Sequence, residues 1–508
     1  MVLSKQYLSC IKKNTEVDIP STTIFSLPEK VLQFGTGVLL RGLPGYFIDK
    51  ANKQDIFNGR IVMVKSTSQG DTETFQQQDN LYTQCIRGTE NDERIDRAII
   101  NASVSRVLSA SSDWKTILAC AANPELQVII SNTTEVGITL LDKDNVSAAP
   151  PVSFPGKLLA FLLERYRKFN GSTESGMVII PTELISENGA KLRDIVIELA
   201  KQNKLGKEFI DWIKTSNDFC NSLVDRIVPG KLPAADKADT EEKLGYKDDL
   251  MIMSEVYCLW AIETNSERTK SILSFSKADV GVVIAADIDK FRELKLRLLN
   301  GSHTFSCALA ILMGFATVKQ AMQQQDFLEF ITALMLDEIV PAIVSEKVSV
   351  EEGLEFSVKV LDRYKNPFIE HQWLSISLQY TSKMKMRNIP VLLQHYKRSD
   401  LVPQYMALGF AAYLLFMKSV PNEKKEYQGK AAGSQYAILD DKAARLNELW
   451  NMNSTDEFVA AVMSDKNLWG TDLTLLPGFS ATVKEYLLTI QEEGAGMVLK
   501  KIKAQKIV

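Results

Sequence analysis

The stretch Val31-Leu32-Gln33-Phe34-Gly35-Thr36-Gly37 decides the fold of the first part of this chain. Its four leading residues form a short apolar strand pattern, and a helical pattern follows from about Arg41 to Asn52. A glycine pair between a strand and a helix is where a dinucleotide-binding fold places a pyrophosphate, because glycine lets the backbone approach the phosphates. The usual third glycine is missing, since Gly42 comes two residues too late.

The same alternation of strand and helix continues through the first half of the chain. Apolar strand patterns recur at 61–64, 126–131, 177–180, 250–263 and 280–286, with a helical pattern at 189–203. Short, nearly continuous apolar strands between helices are typical of a buried parallel sheet. Between these strands, the charged stretch from Pro229 to Asp249 predicts an exposed or mobile loop.

After Asp287 the pattern is helical, with almost no strand signal. Helical periodicity runs through 288–316, 325–349, 351–362, 400–417, 438–451 and 480–503. The sequence therefore predicts an α/β Rossmann-like N-terminal domain, residues 1–287, that binds a dinucleotide. A mainly α-helical C-terminal domain, residues 288–508, follows and binds the substrate.

Composition narrows the class of protein. The 508 residues are 45% hydrophobic and 24% charged, as in an ordinary globular protein, and the net charge of -4 indicates no nucleic-acid partner. We find neither an apolar run of about 18 residues, which a membrane span needs, nor a secretion signal. Six scattered cysteines predict no disulfide framework and no cysteine-based metal site. We expect a cytoplasmic monomer or small homo-oligomer that binds no metal.

The stretch Lys295-Leu296-Arg297-Leu298-Leu299-Asn300-Gly301-Ser302-His303 places an ammonium, a carboxamide and one of only three imidazoles within nine residues. On an α-helix, Lys295, Asn300 and His303 would share an arc of roughly 140°. That face could aim a proton donor and two hydrogen-bonding groups at one small molecule. The alternative is a solvated helix face with a polar cap.

Candidate cofactor residues follow the ends of the predicted strands, where open α/β sheets bind their ligands. They are Phe34, Gly35, Thr36, Gly37, Ser66, Thr133 and Glu135. Lys65 ends the second strand in place of the acid that usually binds the ribose of NAD. It would favour NADP if it bound a 2′-phosphate. If it is only a solvated lysine, hydroxyls and backbone would hold NAD.

The chain resembles the polyol-specific long-chain dehydrogenases, the mannitol dehydrogenase family, over nearly its whole length. The shared motifs are 35–37 with Arg41-Gly42, 224–229, Ser254-Glu255-Val256-Tyr257, Lys295-(x4)-Asn300-Gly301-x-His303 and Tyr364-Lys365-Asn366-Pro367. The resemblance implies hydride transfer between a nicotinamide and a secondary alcohol carbon. It assigns Lys295 as general acid-base, Asn300 as donor to the reacting oxygen and His303 as donor to a neighbouring hydroxyl.

Within the family, the chain looks most like the uronate branch. That likeness implies NAD as cofactor and D-tagaturonate, reduced to D-altronate, as substrate. Glu183-Leu184 stands where many members have Asp-Asn, so Asn188 is a candidate replacement donor, and Asp225 is a candidate supporting residue or a structural ion pair. The alternatives are fructuronate or mannitol as substrate, or a regulatory nucleotide-binding protein without catalysis.

A uronate needs a cationic clamp for its carboxylate, and arginine pairs best with carboxylates. Basic residues cluster at Lys383, Lys385 and Arg387, just after the Asn366-Pro367 segment. We expect Lys385 or Arg387 to be the clamp. The alternative is a solvated basic turn.

Overall fold

The computed structural model describes residues 1–11, 17–66, 72–133, 137–424, 426–452 and 454–506. The chain forms two compact units. One comprises Met1–Arg87 and Arg94–Ile288, and we call it the α/β unit. The other comprises Gly88–Glu93 and Asp289–Val508, and we call it the helical unit.

A six-stranded parallel sheet is the centre of the α/β unit. Its strands, in spatial order, are Val104–Ser109, Arg60–Lys65, Glu29–Phe34, Val128–Ser131, Val178–Pro181 and Asp218–Phe219. Phe34 is in register with both Val64 and Ser131, and Ser131 is in register with Pro181. The residues that follow these strand ends therefore lie along one edge of the sheet.

The central strands are buried on both faces. Val31 belongs to one hydrophobic cluster and Leu32 to another, and the neighbouring strands alternate in the same way. Successive side chains of a strand point to opposite faces, so a sheet covered on both sides needs apolar residues at every position. This is why the strand pattern is continuous, and it confirms the predicted Rossmann-like class.

Further elements lie in the α/β unit, except that the tips of two strands, residues 88–90 and 93, belong to the helical unit. The other strands are Val17–Asp18, Tyr82–Glu90, Glu93–Asn101, Ser222–Asp225, Ile252–Ser254, Leu259–Glu263 and Val282–Ala285. The α-helices are Val38–Gly42, Pro44–Lys53, Glu73–Gln77, Trp114–Ala119, Phe154–Lys168, Asn188–Gln202, Lys207–Ser216, Ala234–Leu244 and Glu267–Ile272. Short 3₁₀ turns are Tyr7–Cys10, Thr22–Ser26, Cys120–Ala122, Thr173–Ser175 and Ser274–Lys277.

The predicted loop between Pro229 and Asp249 contains a helix, Ala234–Leu244. Its residues are mostly alanine, lysine and glutamate, which favour helix. Lys237 and Glu241 form an ion pair one turn apart, at 2.6 Å. The helix ends at Gly245, whose φ of 80° suits glycine. The prediction of a loop was wrong because the charged residues and prolines indicate a loop, whereas the helix propensity of residues 234–244 favours a helix.

The helical unit confirms the predicted class. Its α-helices are Asp289–Leu294, Ser302–Leu312, Val318–Met322, Gln325–Ala333, Val340–Ile343, Val350–Tyr364, Trp373–Ile376, Tyr380–Lys383, Ile389–Tyr396, Gln404–Phe416, Ala443–Trp450, Thr455–Ser464, Lys466–Trp469, Phe479–Glu493 and Ala495–Lys506. Leu473–Leu475 is a 3₁₀ turn. Three segments are π-helical: Lys295–Gly301, Leu334–Ile339 and Met384–Asn388.

The helical unit also contains a small antiparallel sheet, which the sequence did not predict. Its strands are Val420–Pro421, Tyr427–Ala431 and Ser434–Ile438. The last two are joined by Ala432 and Gly433, with φ of 46° and 81°. A hairpin turn with two positive φ values usually has the sequence Asn-Gly or Asp-Gly. Here alanine takes the first position, so the sequence does not indicate the turn.

Two helices of the helical unit pack closely through a glycine. At Gly409 in Gln404–Phe416, an added Cβ would lie 2.7 Å from the Phe305 carbonyl oxygen in Ser302–Leu312. The contact involves backbone, which cannot rotate away as a side chain can. Gly409 therefore sets the distance between these helices, and Ser302–Leu312 carries His303.

We expect Gly409→Ala to lower the free energy of unfolding by about 1–3 kcal/mol, because the new methyl overpacks the interface. The matched control is Gly496→Ala in Ala495–Lys506, where the added Cβ would lie 3.8 Å from the Met313 Cε atom. That change should raise the free energy of unfolding by no more than about 1 kcal/mol. Urea unfolding measures both. Equal midpoints for the two variants would contradict the close approach.

Candidate active site

Lys295 and Asn300 lie on a π-helical turn, Lys295–Gly301, rather than on a regular α-helix. A π-helix bonds residue i to i+5, and short π segments are rare and frequent at functional sites. The predicted arc at 3.6 residues per turn therefore does not describe this segment. Both side chains are half-buried, and Lys295 has polar contacts within the structure.

Two hydroxyls add hydrogen bonds to carbonyls of the π-turn that also accept the Ser302 backbone amide. The Tyr364 hydroxyl lies 2.7 Å from the Leu299 carbonyl oxygen, to which it donates, and 2.8 Å from Ser302 Oγ. The Ser302 hydroxyl donates to the Leu298 carbonyl. An intramolecular hydrogen bond contributes about 1 kcal/mol net, so these hydroxyls add to the stability of the π-turn.

A second π-turn, Met384–Asn388, is bonded directly to the first. The Asn388 amide donates to the Gly301 carbonyl at 3.0 Å. In the other direction, Arg297 Nη1 donates to the carbonyls of Met386 at 2.8 Å and Arg387 at 3.0 Å. Contacts in both directions fix the two turns relative to each other. They bring Arg387 to the same region as Asn300 and His303.

His303 is buried and follows the first π-turn. Its ring stacks on Tyr364 at 4.0 Å between centroids, and the rings of His371 and Trp373 meet it edge-on at 5.3 and 5.8 Å. Its Nε2 atom is buried without a hydrogen-bond partner among the described residues. The ring is thus held by packing alone on that side, with one polar atom unpaired within the described parts of the chain.

The pKa of His303 lies well below its usual value of 6.5. Burial is the main cause, and His371, Arg363, Arg387 and Lys383 add to it. Burial also lowers the pKa of His371, with Lys383 contributing. Both imidazoles are therefore neutral near pH 7, and a neutral imidazole offers one donor and one acceptor. This suits the binding of a hydroxyl better than the binding of a carboxylate.

The two candidate clamp residues lie in different surroundings. Arg387 is half-buried, and its Nη1 donates to Thr304 Oγ1 at 3.2 Å. Its Nε is buried without a partner, and burial lowers the pKa of its guanidinium. Lys385 is exposed, and its Nζ lies 3.5 Å from the Asn467 carbonyl. The structure thus brings Arg387, but not Lys385, to the region of His303.

The glycine turn of the α/β unit fits a dinucleotide. Gly35 has a φ of 125°, and a Cβ there would lie 2.8 Å from Leu40 Cδ1 and 3.2 Å from the Asn132 carbonyl. A Cβ at Gly37 would meet nothing within 4 Å. The first glycine is needed for the turn, and the second leaves room for a ligand against the backbone. Leu40 occupies the place of the missing third glycine.

The other candidate cofactor residues differ in what they offer. Phe34 is fully buried and packs on Phe154 at 5.3 Å, so only its backbone can reach a ligand. Ser66 follows the second strand, and its Oγ is buried with no hydrogen-bond partner in the described parts of the chain. Thr133 donates from its backbone and its hydroxyl to Glu183, at 2.8 and 3.0 Å. Glu135 lies outside the described residues.

The Asn188 carboxamide forms its hydrogen bonds with backbone groups and has no donor left for a substrate. It is 0% exposed, and its amide nitrogen lies 3.0 Å from the carbonyls of Pro181, Glu183 and Ser222. Its Oδ1 accepts from the Ser222 and Gly189 amides. The structure therefore contradicts the expectation that Asn188 replaces the missing donor. Leu184 is 63% exposed.

Asp225 is buried at the end of Ser222–Asp225 and has a polar interaction within the structure. The adjacent Arg226 donates to the Glu255 carbonyl at 2.8 Å and to the Gly42 carbonyl at 2.8 Å. The Glu255 side chain accepts from the Ile227 amide. One buried guanidinium thus joins the three motifs at 41–42, 224–229 and 254–257, and its role here is structural.

Sequence reasoning missed several residues around His303. They are Thr304, Arg363, Tyr364 as a ring partner, His371 and Trp373. Tyr364 was visible as part of the Tyr364-Lys365-Asn366-Pro367 motif. Thr304 follows His303 directly and Arg363 precedes Tyr364, but residue type alone does not show what their side chains contact. His371 and Trp373 come from a segment distant in the sequence.

Within the described residues, no group of His, Cys, Asp and Glu side chains is arranged to hold a metal ion. No helix in the same residues is long and apolar enough to cross a membrane.

The parallel sheet with its glycine turn defines a dinucleotide-binding type of fold, and comparison with known proteins identifies the family. Residues 29–274 match the mannitol dehydrogenase Rossmann domain, and residues 287–491 match the mannitol dehydrogenase C-terminal domain. Altronate oxidoreductase of Halalkalibacterium halodurans is 36% identical over 478 residues, 92% of each chain. Altronate oxidoreductase of Bacillus subtilis is 37% identical over 469 residues, 92% of this chain and 94% of its own.

Solved structures show the same fold over the whole chain. A substrate-free D-sorbitol dehydrogenase has a TM-score of 0.77 at 19% identity and covers 98% of this chain and 100% of its own. Mannitol 2-dehydrogenase of Pseudomonas fluorescens, solved with NAD and D-mannitol, has a TM-score of 0.68 at 22% identity over 99% and 100%. The chain belongs to the mannitol dehydrogenase family, which confirms the resemblance. It is an oxidoreductase that acts on the CH–OH groups of a polyol or sugar acid.

The low pKa of His303 predicts how stability depends on pH. The unfolded chain binds a proton near pH 6.5 and the folded chain does not, so the free energy of unfolding falls as the pH drops below about 6.5. One site contributes a slope of at most about 1.4 kcal/mol per pH unit. Urea unfolding between neutral and mildly acid pH should show a smaller slope in His303→Phe. An unchanged slope would contradict this prediction.

Proposed function

We propose that this protein interconverts D-tagaturonate and D-altronate with NAD as the hydride carrier. The observation that carries the substrate is Arg387, a half-buried guanidinium beside His303 with no carboxylate partner among the described residues. A buried charge needs a counter-charge, and a substrate carboxylate supplies one. The names of the relatives at 36% and 37% identity agree with a sugar-acid substrate.

We assign dinucleotide binding to residues 1–287 and substrate binding to residues 288–508. The turn Gly35-Thr36-Gly37 would hold the pyrophosphate, and the Ser66 hydroxyl would meet the adenosine ribose. The backbone of Phe34, together with Thr133 and Glu135, completes the candidate set. NAD, when bound, supplies or accepts the hydride at the reacting carbon.

The π-turn residues handle the proton and the oxygen. In the reductive direction, Lys295 donates a proton to the carbonyl oxygen as it becomes a hydroxyl, and in the oxidative direction Lys295 removes it. The Asn300 carboxamide donates a hydrogen bond to the same oxygen and stabilises its developing charge. The neutral ring of His303 binds a neighbouring hydroxyl through Nε2. Asp225, buried at the end of its strand in the α/β unit, remains a candidate supporting residue.

The test of the proposed reaction is NADH oxidation with D-tagaturonate, D-fructuronate and D-fructose in parallel, repeated with NADPH. We expect the highest kcat/KM for D-tagaturonate with NADH. Lys295→Ala should lower kcat by about 10²- to 10⁴-fold, the usual range for a general acid-base, with NADH affinity unchanged. A preference for another substrate would overturn the substrate proposal. Near-normal turnover of the variant would overturn the role of Lys295.

The clamp proposal is tested by two neighbouring cations of one π-turn. Arg387→Ala should raise KM for D-tagaturonate by about 10- to 100-fold, because it removes a charge-assisted hydrogen bond. Lys385→Ala is the matched control, since Lys385 is exposed and should leave KM within about twofold. Steady-state kinetics measure both. Similar effects of the two substitutions would show that only net charge matters.

A further inference from the structure

The Thr304 side chain connects the Arg387 guanidinium to the turn that carries Asn300. Thr304 is 0% exposed. Its Oγ1 lies 2.7 Å from the Asn300 carbonyl oxygen and 3.2 Å from Arg387 Nη1. A hydroxyl has one hydrogen and two lone pairs. Because the carbonyl can only accept and the guanidinium can only donate, the direction of both bonds is fixed.

This anchor leaves a defined part of Arg387 for a ligand. With Nη1 held by Thr304, the opposite edge of the guanidinium presents Nε and Nη2. The Nε atom is buried and has no acceptor among the described residues. That edge is one of the two that bind a carboxylate through parallel hydrogen bonds. The ion pairs within the described parts of the chain do not include Arg387.

An anchored arginine binds a carboxylate better than a mobile one. Immobilising a side chain with many rotamers costs about 0.5–1.5 kcal/mol on binding, and a prior anchor removes part of that cost. The Thr304 bond also ties the direction of the guanidinium to the position of Asn300. The carboxylate and the reacting oxygen of one substrate would then be held at a fixed separation.

We infer that Thr304 is a positioning residue for substrate specificity: it orients Arg387 so that its Nε–Nη2 edge receives the carboxylate of a sugar acid. The inference rests on the proposed role of Arg387 as carboxylate clamp. It adds a residue that touches no substrate and acts through the arginine alone.

The test is a double-mutant cycle in KM for D-tagaturonate, measured on the full chain. Thr304→Val keeps the shape and removes the hydroxyl, and it should raise KM about 10-fold with kcat within about threefold. Thr304→Ser keeps the hydroxyl and should stay within about twofold of the original KM. In the Arg387→Ala background, Thr304→Val should change KM by less than about twofold, because the partner is already absent. Should the valine variant not fold, Thr304→Ala replaces it.

The outcomes separate this inference from the function beneath it. If Arg387→Ala leaves KM unchanged, the clamp itself is wrong, and the proposed substrate loses its main support. If Arg387→Ala raises KM but Thr304→Val does not, Thr304 does not act through Arg387. The same holds if KM of the double variant rises by the product of the two single-variant increases. A fall in kcat with KM unchanged would assign Thr304 to the Asn300 turn alone. Each of the last three results overturns the inference.

Discussion

The contacts between two π-turns set the geometry on which the polar cluster of the helical unit depends. Arg297 donates to the carbonyls of Met386 and Arg387, and Asn388 donates to the Gly301 carbonyl. Each such bond contributes only about 1 kcal/mol net, but three of them join the same two segments. The turns that carry Lys295, Asn300 and Arg387 are therefore held against each other from both sides.

No carboxylate of the described residues is among the groups that shift the pKa of His303. The groups that act on the pKa of His303 besides burial are His371, Arg363, Arg387 and Lys383, and all of them lower it. The histidine is neutral mainly because it is buried, and the neighbouring cations lower its pKa further. Arg387 is half-buried and keeps its Nε atom without a partner among the described residues. We therefore propose that the imidazole binds a hydroxyl and the guanidinium binds a carboxylate.

Much of the fold could be predicted from the sequence, because burial on both faces leaves a visible mark. In the strand Glu29–Phe34, the apolar residues Val31, Leu32 and Phe34 are fully buried, and the φ of 125° at Gly35 favours glycine. The hairpin around Ala432 and Gly433 could not be predicted, since alanine at a positive φ carries no signal. The π-turn at Lys295–Gly301 could not either, because the contacts that accompany it, such as the Tyr364 hydroxyl on the Leu299 carbonyl, come from residues distant in the sequence.

The residue types of the candidate site could be predicted from the sequence, but the hydrogen-bond partners and exposure of each side chain could not. An amide such as Asn188 has the same sequence appearance whether it donates to a substrate or to three backbone carbonyls. Lys385 and Arg387 are two residues apart, yet one is exposed and the other half-buried. Helix geometry, not composition, decides which of the two cations faces inward.

The motifs that identify the family mainly explain its architecture. Arg226, in the motif at 224–229, is buried and donates hydrogen bonds to the carbonyls of Gly42 and Glu255, which belong to two other motifs. Those donors hold backbone rather than a substrate. The Thr304–Arg387 bond lies outside the motif contacts, and it leaves the Nε atom of a half-buried guanidinium without a partner among the described residues. We therefore propose that this pair, rather than the motifs, selects the substrate.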